Sequence, residues 1–455
     1  MWNLHHGTAD ISNGNVTCGL ILRIAGGILL EGLHNLKDRI CSFENLMGAY
    51  RDAAKGKRYR QEVLSFGFNL SENLLSIQRD LLDMTYEVGR YREFYVRYPK
   101  PRLVMALAFR DRIVQWAIYR QLNPYLDKRY IEDSFGCRKE KGTHAAAERI
   151  FRWQQQISRK PDAGEWYLVK CDISKYFYRV NHAIIQNDYR EISDEAWFSW
   201  LIDTIINNDE VPFGLPTGMK PNDCPRSERL YEIGMPIGNL TSQETANLYL
   251  DKLDKYCKHV LNLHFYDRYM DDFGIFIKGK DKARDVFSKI SEYAKAELLL
   301  DMSPKCKIQK AIAPFEFVGF RITPHGVRMR KKTTRHMKNG LHHIMDGYAS
   351  GKISFKKAME SVICYVGICK KCNGYYMIRW IEDNFVLRLN SYKAETSSPG
   401  EERYFSIRKD EDGTVDVILR TESAGHDISV RVIRGVKSYD GLEEDIRKRY
   451  DAWCE

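Results

Sequence analysis

Apolar positions along this chain follow two rhythms. Short runs rich in β-branched and aromatic residues occupy residues 265–269, 273–278 and 165–173 (EWYLVKCDI), the pattern of strands with one or both faces buried. Elsewhere apolar residues recur every three or four positions: Tyr249, Leu250, Leu253, Cys257 and Val260, then Met337, Leu341, Ile344, Met345 and Tyr348, then the run 362–368. Each of these predicts a helix, and together the two rhythms predict an α+β chain. Gly234, Pro236 and Gly238 punctuate the entry to the first helix, where Thr241 and Glu244 have capping-box spacing. Residues 207–232, with their Pro and Gly, read as a loop excursion. After a linker-like stretch at 396–400, residues 404–422 read as two strands around Asp412-Gly413. Residues 431–436 read as a third strand and 442–453 as a charged helix. A tail of 55 residues, 401–455, is too small to be stable unless docked.

The polar residues inside this pattern carry the chemistry. In residues 265–278 (FYDRYMDDFGIFIK), Asp271 and Asp272 fall between two strand-like runs. Neighbours on a strand point to opposite faces, so an Asp-Asp pair serves one site only where the backbone turns. Two carboxylates about 4 Å apart repel by roughly 4 kcal/mol at an effective dielectric of about 20, which makes a divalent cation a natural partner. Hard oxygen ligands suit magnesium or manganese. A solvated turn fits the dipeptide equally well, since Asp favours turns. A third carboxylate changes the balance: residues 165–173 end their strand at Asp172, followed by the aromatic cluster of SKYFYRVNH. Acids on separate elements that converge on two ions are what two-metal phosphoryl transfer requires.

With YMDD at 269–272, Asp172, and Phe177 five positions later, the chain resembles a reverse transcriptase, and the resemblance runs from about residue 36 to 389 with its pieces in the family's order. It implies a right-hand polymerase of fingers (36–160), palm (161–322) and thumb (323–393), an antiparallel palm sheet carrying the catalytic aspartates, an N-terminal extension (1–35), and a small C-terminal α/β extension (401–455). It implies two Mg2+ ions, with Mn2+ as substitute, at Asp172, Ile173, Asp271 and Asp272. Residues 98–115 (YPKPRLVMALAFRDRIVQ) look like fingers strands whose basic groups, Lys100, Arg102 and Arg112, meet the incoming triphosphate. GMPIGNLTSQ (234–243) looks like the palm motif under nucleotide and template, giving Ile237, Gly238 and Gln243. LLLDMSPKCK (298–307) resembles the motif whose lysine protonates pyrophosphate, and Lys305 fits. FEFVGF (315–320) resembles the primer-grip hairpin. On the residues alone, Leu298 and Leu300 read as core and Lys305 and Lys307 as a solvated face.

Two positions refine the expectation. Phe177 stands where these enzymes place a ring that excludes a ribose 2′-OH, favouring DNA synthesis, although Tyr176 and Tyr178 beside it also fit a core aromatic cluster. Ile237 stands where many relatives have Gln, which removes a hydrogen-bonding handle. IGNLTSQ is similar to the reverse transcriptases of diversity-generating retroelements, which copy a template RNA with errors at adenines and work with a small basic accessory protein. Bacterial defence enzymes share the core, and some make DNA from a dedicated noncoding RNA, or without a template, beside a second polymerase. A non-catalytic RNA-binding scaffold is the remaining class, and its mark would be a lost carboxylate. All three are present. The partners implied are an RNA template, a DNA or RNA primer, and dNTPs.

Composition fits this frame. The chain has 455 residues and a formal net charge of +10, consistent with phosphate-backbone binding. Basic clusters occur at Lys55, Lys57, Arg58 and Arg60; at Arg138, Lys139 and Lys141; and at Arg328, Arg330, Lys331, Lys332, Arg335 and Lys338. Eleven scattered cysteines point to reduced thiols in a cytoplasm, which the resemblance implies is bacterial. Cys369 and Cys372 form a CxxC with no second half to complete a zinc site. The apolar stretch 19–33 is short and broken by Arg23, so no membrane span or secretory signal is expected.

Overall fold

The computed structural model describes residues 32–96, 102–207, 212–219, 221, 223–388, 401–409, 415–423 and 426–436. Two compact units divide the chain: Met1–Glu140 with Tyr167–Ile308, and Lys141–Trp166 with Gln309–Glu455. The expected charged helix at 442–453, the linker at 396–400, the apolar stretch 19–31 and Lys100 lie outside the described residues.

In the first unit the helices Leu36–Cys41, Phe43–Ala54, Gln61–Phe68 and Leu70–Leu82 gather around the long helix Phe109–Arg129. Ser42 starts the second of these, its hydroxyl accepting from the Asn45 N–H at 3.2 Å, as an N-cap does. Leu46, Ala49, Ile113 and Ala117 are among the fully buried positions. Strands β1 (Arg92–Val96) and β2 (Arg102–Ala106) form an antiparallel pair. Further along, β3 (Trp166–Asp172), β4 (Tyr266–Tyr269), β5 (Asp272–Lys278) and, at the edge, β6 (Lys307–Lys310) make a sheet ordered β4-β5-β3-β6. The helices Leu240–Lys255, His182–Arg190, Ala196–Ile206 and Lys280–Glu297 complete the unit. The described residues between 212 and 235 form a loop that contains the short helical turn Arg226–Glu228 and a bridge between Gly214 and Leu230, as the Pro and Gly content predicts.

Three expectations need correction. Among the described residues of the stretch 98–115, only Arg102–Ala106 is strand; from Phe109 onward it is helix, because Phe109, Ile113, Val114 and Ala117 bury one helical face. No capping box forms at Thr241 and Glu244. The helix begins two residues earlier, at Leu240 with Asn239 as its N-cap, and the Leu240 N–H donates instead to Gln115 Oε1 at 3.1 Å, which leaves Thr241 and Glu244 buried inside the helix. The same helix ends in a wider turn at Tyr256–Val260 that turns Val260 out to 44% exposure.

In the second unit the helix Thr143–Ser158 carries Gln154, whose amide donates to the carbonyls of Ala311 (2.7 Å) and Ala313 (3.1 Å). Strands β7 (Phe315–Phe317), β8 (Phe320–Thr323) and β9 (Gly326–Met329) form an antiparallel meander. The FEFVGF segment is thus a hairpin, turning at Val318 and Gly319, both at positive φ. The expected helices are Lys331–Ala349 and Phe355–Lys370, and a third, Tyr375–Asn384, joins them. Met337, Leu341, Ile344 and Tyr348 lie one helical turn apart and are all buried, each burial worth about 1.5–3 kcal/mol. Strands β10 (Val386–Arg388), β11 (Glu401–Lys409), β12 (Val415–Ser423) and β13 (His426–Val436) follow as one antiparallel sheet. The hairpin expected around Asp412-Gly413 is β11–β12, and pairing of β11 with β10 supplies the docking that so short a tail requires. Cys372 donates to the Ile368 carbonyl at 3.5 Å and Cys369 is buried. Among the described residues no helix is long and apolar enough to cross a membrane.

Candidate active site

The site is built from a turn that a buried cation holds in place. β4 and β5 pair antiparallel with Tyr269 opposite Asp272, leaving Met270 and Asp271 as a two-residue turn. Such turns require positive φ, and Met270 adopts it at 55°, unusual for a long side chain. Arg268 offsets that cost. Its guanidinium, 0% exposed, reaches Asp254 through two bonds of 2.7 and 2.6 Å, Ser134 Oγ at 3.1 Å, Asn247 Oδ1 at 3.3 Å and the Met270 carbonyl at 3.0 Å. Tyr266 donates to the same Asp254 carboxylate at 2.6 Å. A buried pair of this kind persists only when its donors and acceptors are satisfied. Gly136 lies against the turn: a Cβ there would stand 2.6 Å from Met270 Sδ and 2.9 Å from Met270 N, so only glycine fits.

β3 brings the third carboxylate alongside. It neighbours β5 in the sheet, and the Ile173 N–H donates to the Asp271 carbonyl at 3.1 Å, tying the end of β3 to the turn. The Asp172 carbonyl accepts from Ser303 N–H at 2.7 Å, and its own N–H donates to Cys306 Sγ at 3.4 Å. Burial pushes the Asp271 carboxyl above its ordinary range and the charge of Asp172 adds to the rise, while Arg102 and Arg268 oppose it. Asp272 is pushed up to about 6 by burial and by both other aspartates, against the opposing charge of Lys170. Lys170 Nζ stands 3.5 Å from Asp272 Oδ1. Asp271 and Asp272 therefore both feel neighbouring carboxylates, the situation a bound cation relieves. Among the described residues no three His, Cys, Asp or Glu side chains already form a metal-ligating group.

The remaining predicted residues divide into two groups. Those around the carboxylates are connected by backbone. The Phe177 carbonyl accepts from the Met235 N–H at 2.7 Å, and its half-buried ring meets Tyr176 edge-on, with centroids 5.6 Å apart. The Ile237 carbonyl accepts from the Met105 N–H of β2 at 2.9 Å. Gly238, at φ 123°, leaves room where a Cβ would meet Val104 Cγ1 at 2.9 Å and the Met105 carbonyl at 3.1 Å. Gln243 is exposed on the first turn of a helix whose next eight residues are buried. Arg102, exposed on β2, is the cation near enough to act on Asp271. The others are not brought in. Arg112 is committed to Glu62 by a two-pronged pair (2.9 and 3.0 Å) and to the Leu107 carbonyl at 2.9 Å, because its place on the helix rather than a strand turns it to the Gln61–Phe68 helix. Lys305 is exposed and forms no ion pair among the described residues. Arg138 also leaves its basic cluster: its donors bind Asp127 and the carbonyls of Ile131 and Ser134.

Sequence reasoning missed Arg268, Gly136 and Lys170. Arg268 had a signal, an arginine inside a strand too short to bring it to solvent. Lys170 had another, since a residue two before Asp172 on a strand shares its face.

Residues 98–322 match the family model described as reverse transcriptase (RNA-dependent DNA polymerase). This stretch, with the three aspartates and the 234–243 loop inside it, is a reverse transcriptase domain, a nucleotidyltransferase of α+β polymerase fold. Beyond the class, the chain is similar to Protein YkfC of Escherichia coli (strain K12), 24% identical over 189 residues, 41% of this chain and 46% of that protein. The chain thus spans about half the length of this curated relative. Among solved structures it is similar to apo telomerase from Candida tropicalis (TM-score 0.41, 12% identity, 62% of this chain and 58% of that one). It is also similar to telomerase from Candida albicans in complex with the TWJ fragment of telomeric RNA (TM-score 0.36, 11% identity, 58% and 51%).

Proposed function

We propose that this protein is an RNA-directed DNA polymerase that joins dNTPs to a primer 3′-OH on an RNA template. The observation that carries the reading is the tie from Ile173 N–H to the Asp271 carbonyl, which sets Asp172 and Asp271 side by side in a reverse transcriptase domain. Two half-buried carboxylates brought together, with hard oxygen donors, fit magnesium or manganese. Asp172 and Asp271, with the Ile173 backbone beside them, would hold such ions, which would supply Lewis-acid activation of the 3′-OH and neutralise the triphosphate. Arg102 adds positive charge on the same side, Phe177 and Gly238 shape the floor below the sugar, and Gln243 faces solvent at the helix entrance. Lys100 and Lys305 are assigned to the triphosphate and the departing pyrophosphate by motif position alone. On this reading the fingers are 36–160, the palm 161–322 and the thumb 323–393, with 1–35 and 401–455 as extensions.

The finer reading is a bacterial retroelement enzyme, error-prone at template adenines. It is favoured by Ile237, whose side chain offers no hydrogen bond where its carbonyl is already used by Met105. A small basic accessory protein would accompany such an enzyme, and the bacterial cytoplasm would be its location.

Asp271→Asn tests the core reading. Primer extension on an RNA template should fall about a thousandfold or more, equivalent to about 4 kcal/mol of transition-state stabilisation, with an unchanged circular dichroism spectrum. Extension at the wild-type rate would refute it. Sequencing the products opposite template adenines tests the finer reading, and ordinary accuracy with the accessory protein present would refute that part alone.

A further inference from the structure

The third carboxylate of the cluster has a partner that nucleotidyl transfer does not require. Lys170 lies two positions before Asp172 on β3, so alternation places both on one face, with Cys171 between them fully buried on the other. From the neighbouring strand β5, Asp272 extends Oδ1 to 3.5 Å from Lys170 Nζ. The two side chains keep 29% and 27% of their exposure, while Asp272 Oδ1 itself is buried and makes no hydrogen bond, so the ammonium meets it as a neighbouring charge. As an ordinary cross-strand pair it would add little to stability, and its place beside the cluster is what gives it a use.

We propose that Lys170 is a positioning residue of the active centre: its ammonium holds Asp272 and cancels one of the three carboxylate charges, so that divalent cations are bound by Asp172 and Asp271 and bound loosely enough to exchange. This rests on the assignment of Asp172 and Asp271 as the cation ligands. A fixed ammonium beside the cluster repels an arriving divalent cation. At a separation of about 6 Å and the dielectric of water, removing that charge tightens cation binding about tenfold. A purely structural pair would leave cation affinity alone, whereas one that screens the cluster sets it.

The test is Mn2+ titration of the full chain without nucleic acid, followed by electron paramagnetic resonance, on wild type, Lys170→Met, Lys170→Arg and Asp271→Asn. Lys170→Met should bind Mn2+ about tenfold more tightly, Lys170→Arg should match wild type, and Asp271→Asn should lose the site. Unchanged or weaker binding by Lys170→Met, with Asp271→Asn silent, overturns the role of Lys170 alone. Wild-type binding by Asp271→Asn overturns the metal assignment, and the proposal with it. If Lys170→Met proves misfolded by circular dichroism, Lys170→Gln carries the same expectation and the same refutation.

Discussion

Glu244 offers a prediction whose size can be worked from its surroundings. It follows Gln243 on the helix Leu240–Lys255, is 5% exposed, and neither carboxyl oxygen has a hydrogen-bond partner. Burial alone pushes its carboxyl from the ordinary 4.5 up to about 8, and the side chains around it are the tyrosines 119, 130 and 189 rather than cations. A carboxyl raised in this way contributes stability that is fully present below its unfolded value and is lost as pH rises through its folded value. At about 1.4 kcal/mol per pH unit, the loss amounts to roughly 3 kcal/mol at pH 7 and about 5 kcal/mol above pH 8. Glu244→Gln keeps the shape and removes the titration. The amide is as poorly partnered as the neutral acid, which adds an offset that does not vary with pH. Urea unfolding of both proteins between pH 4.5 and 8.5 should show the variant gaining on wild type steadily across that range. Asp188 and Asp272, both raised to about 6, destabilise both proteins alike and drop out of the difference. A difference that stays flat from pH 4.5 to 8.5 would refute the account, since it would mean that Glu244 is solvated or paired in the folded chain.

Arg268→Met should cost about 3–5 kcal/mol by leaving Asp254 buried and unpaired, and Arg268→Met with Asp254→Leu should recover much of it; urea midpoints check both, and a single variant as stable as wild type would contradict the buried network. Gly238→Val should strain the loop by about 1–3 kcal/mol and raise KM for dNTP about tenfold while leaving primer-template affinity unchanged. Steady-state kinetics distinguish this from a general loss of fold, which would move both.

What could be read from the sequence and what could not separate along physical lines. The strand that ends at Asp172 and the turn at the Asp271-Asp272 pair were legible because each signal is local: a strand ending in an acid, and an acid pair between two strand-like runs. The helices at 331–349 and 355–370 followed from apolar spacing alone. The helix Phe109–Arg129 was obscured because its first turns were matched to a strand motif, although Phe109, Ile113, Val114 and Ala117 carry helical spacing. Glu244 was read as a cap because Thr241 and Glu244 have the right separation, yet Gln115, more than a hundred residues away in the chain, serves the first helical N–H instead. Arg268, Lys170 and Gly136 depend on partners supplied by other strands and helices, and a one-dimensional pattern does not record them. Arg112 went wrong for the same reason, its charge being committed to Glu62.

The bond from Met105 N–H to the Ile237 carbonyl, with Gly238 seated against Val104 and Met105, has a mechanical consequence. The strand that carries Arg102 and the loop of residues 234–243 are stitched together by main chain, so they travel as a single plate. A displacement of Arg102 along with its strand would drag the loop with it. On the proposed reading, a substitution that loosens this seam would let Arg102 close on phosphate while the floor below the sugar stays behind, uncoupling the grip on a nucleotide from the inspection of its fit.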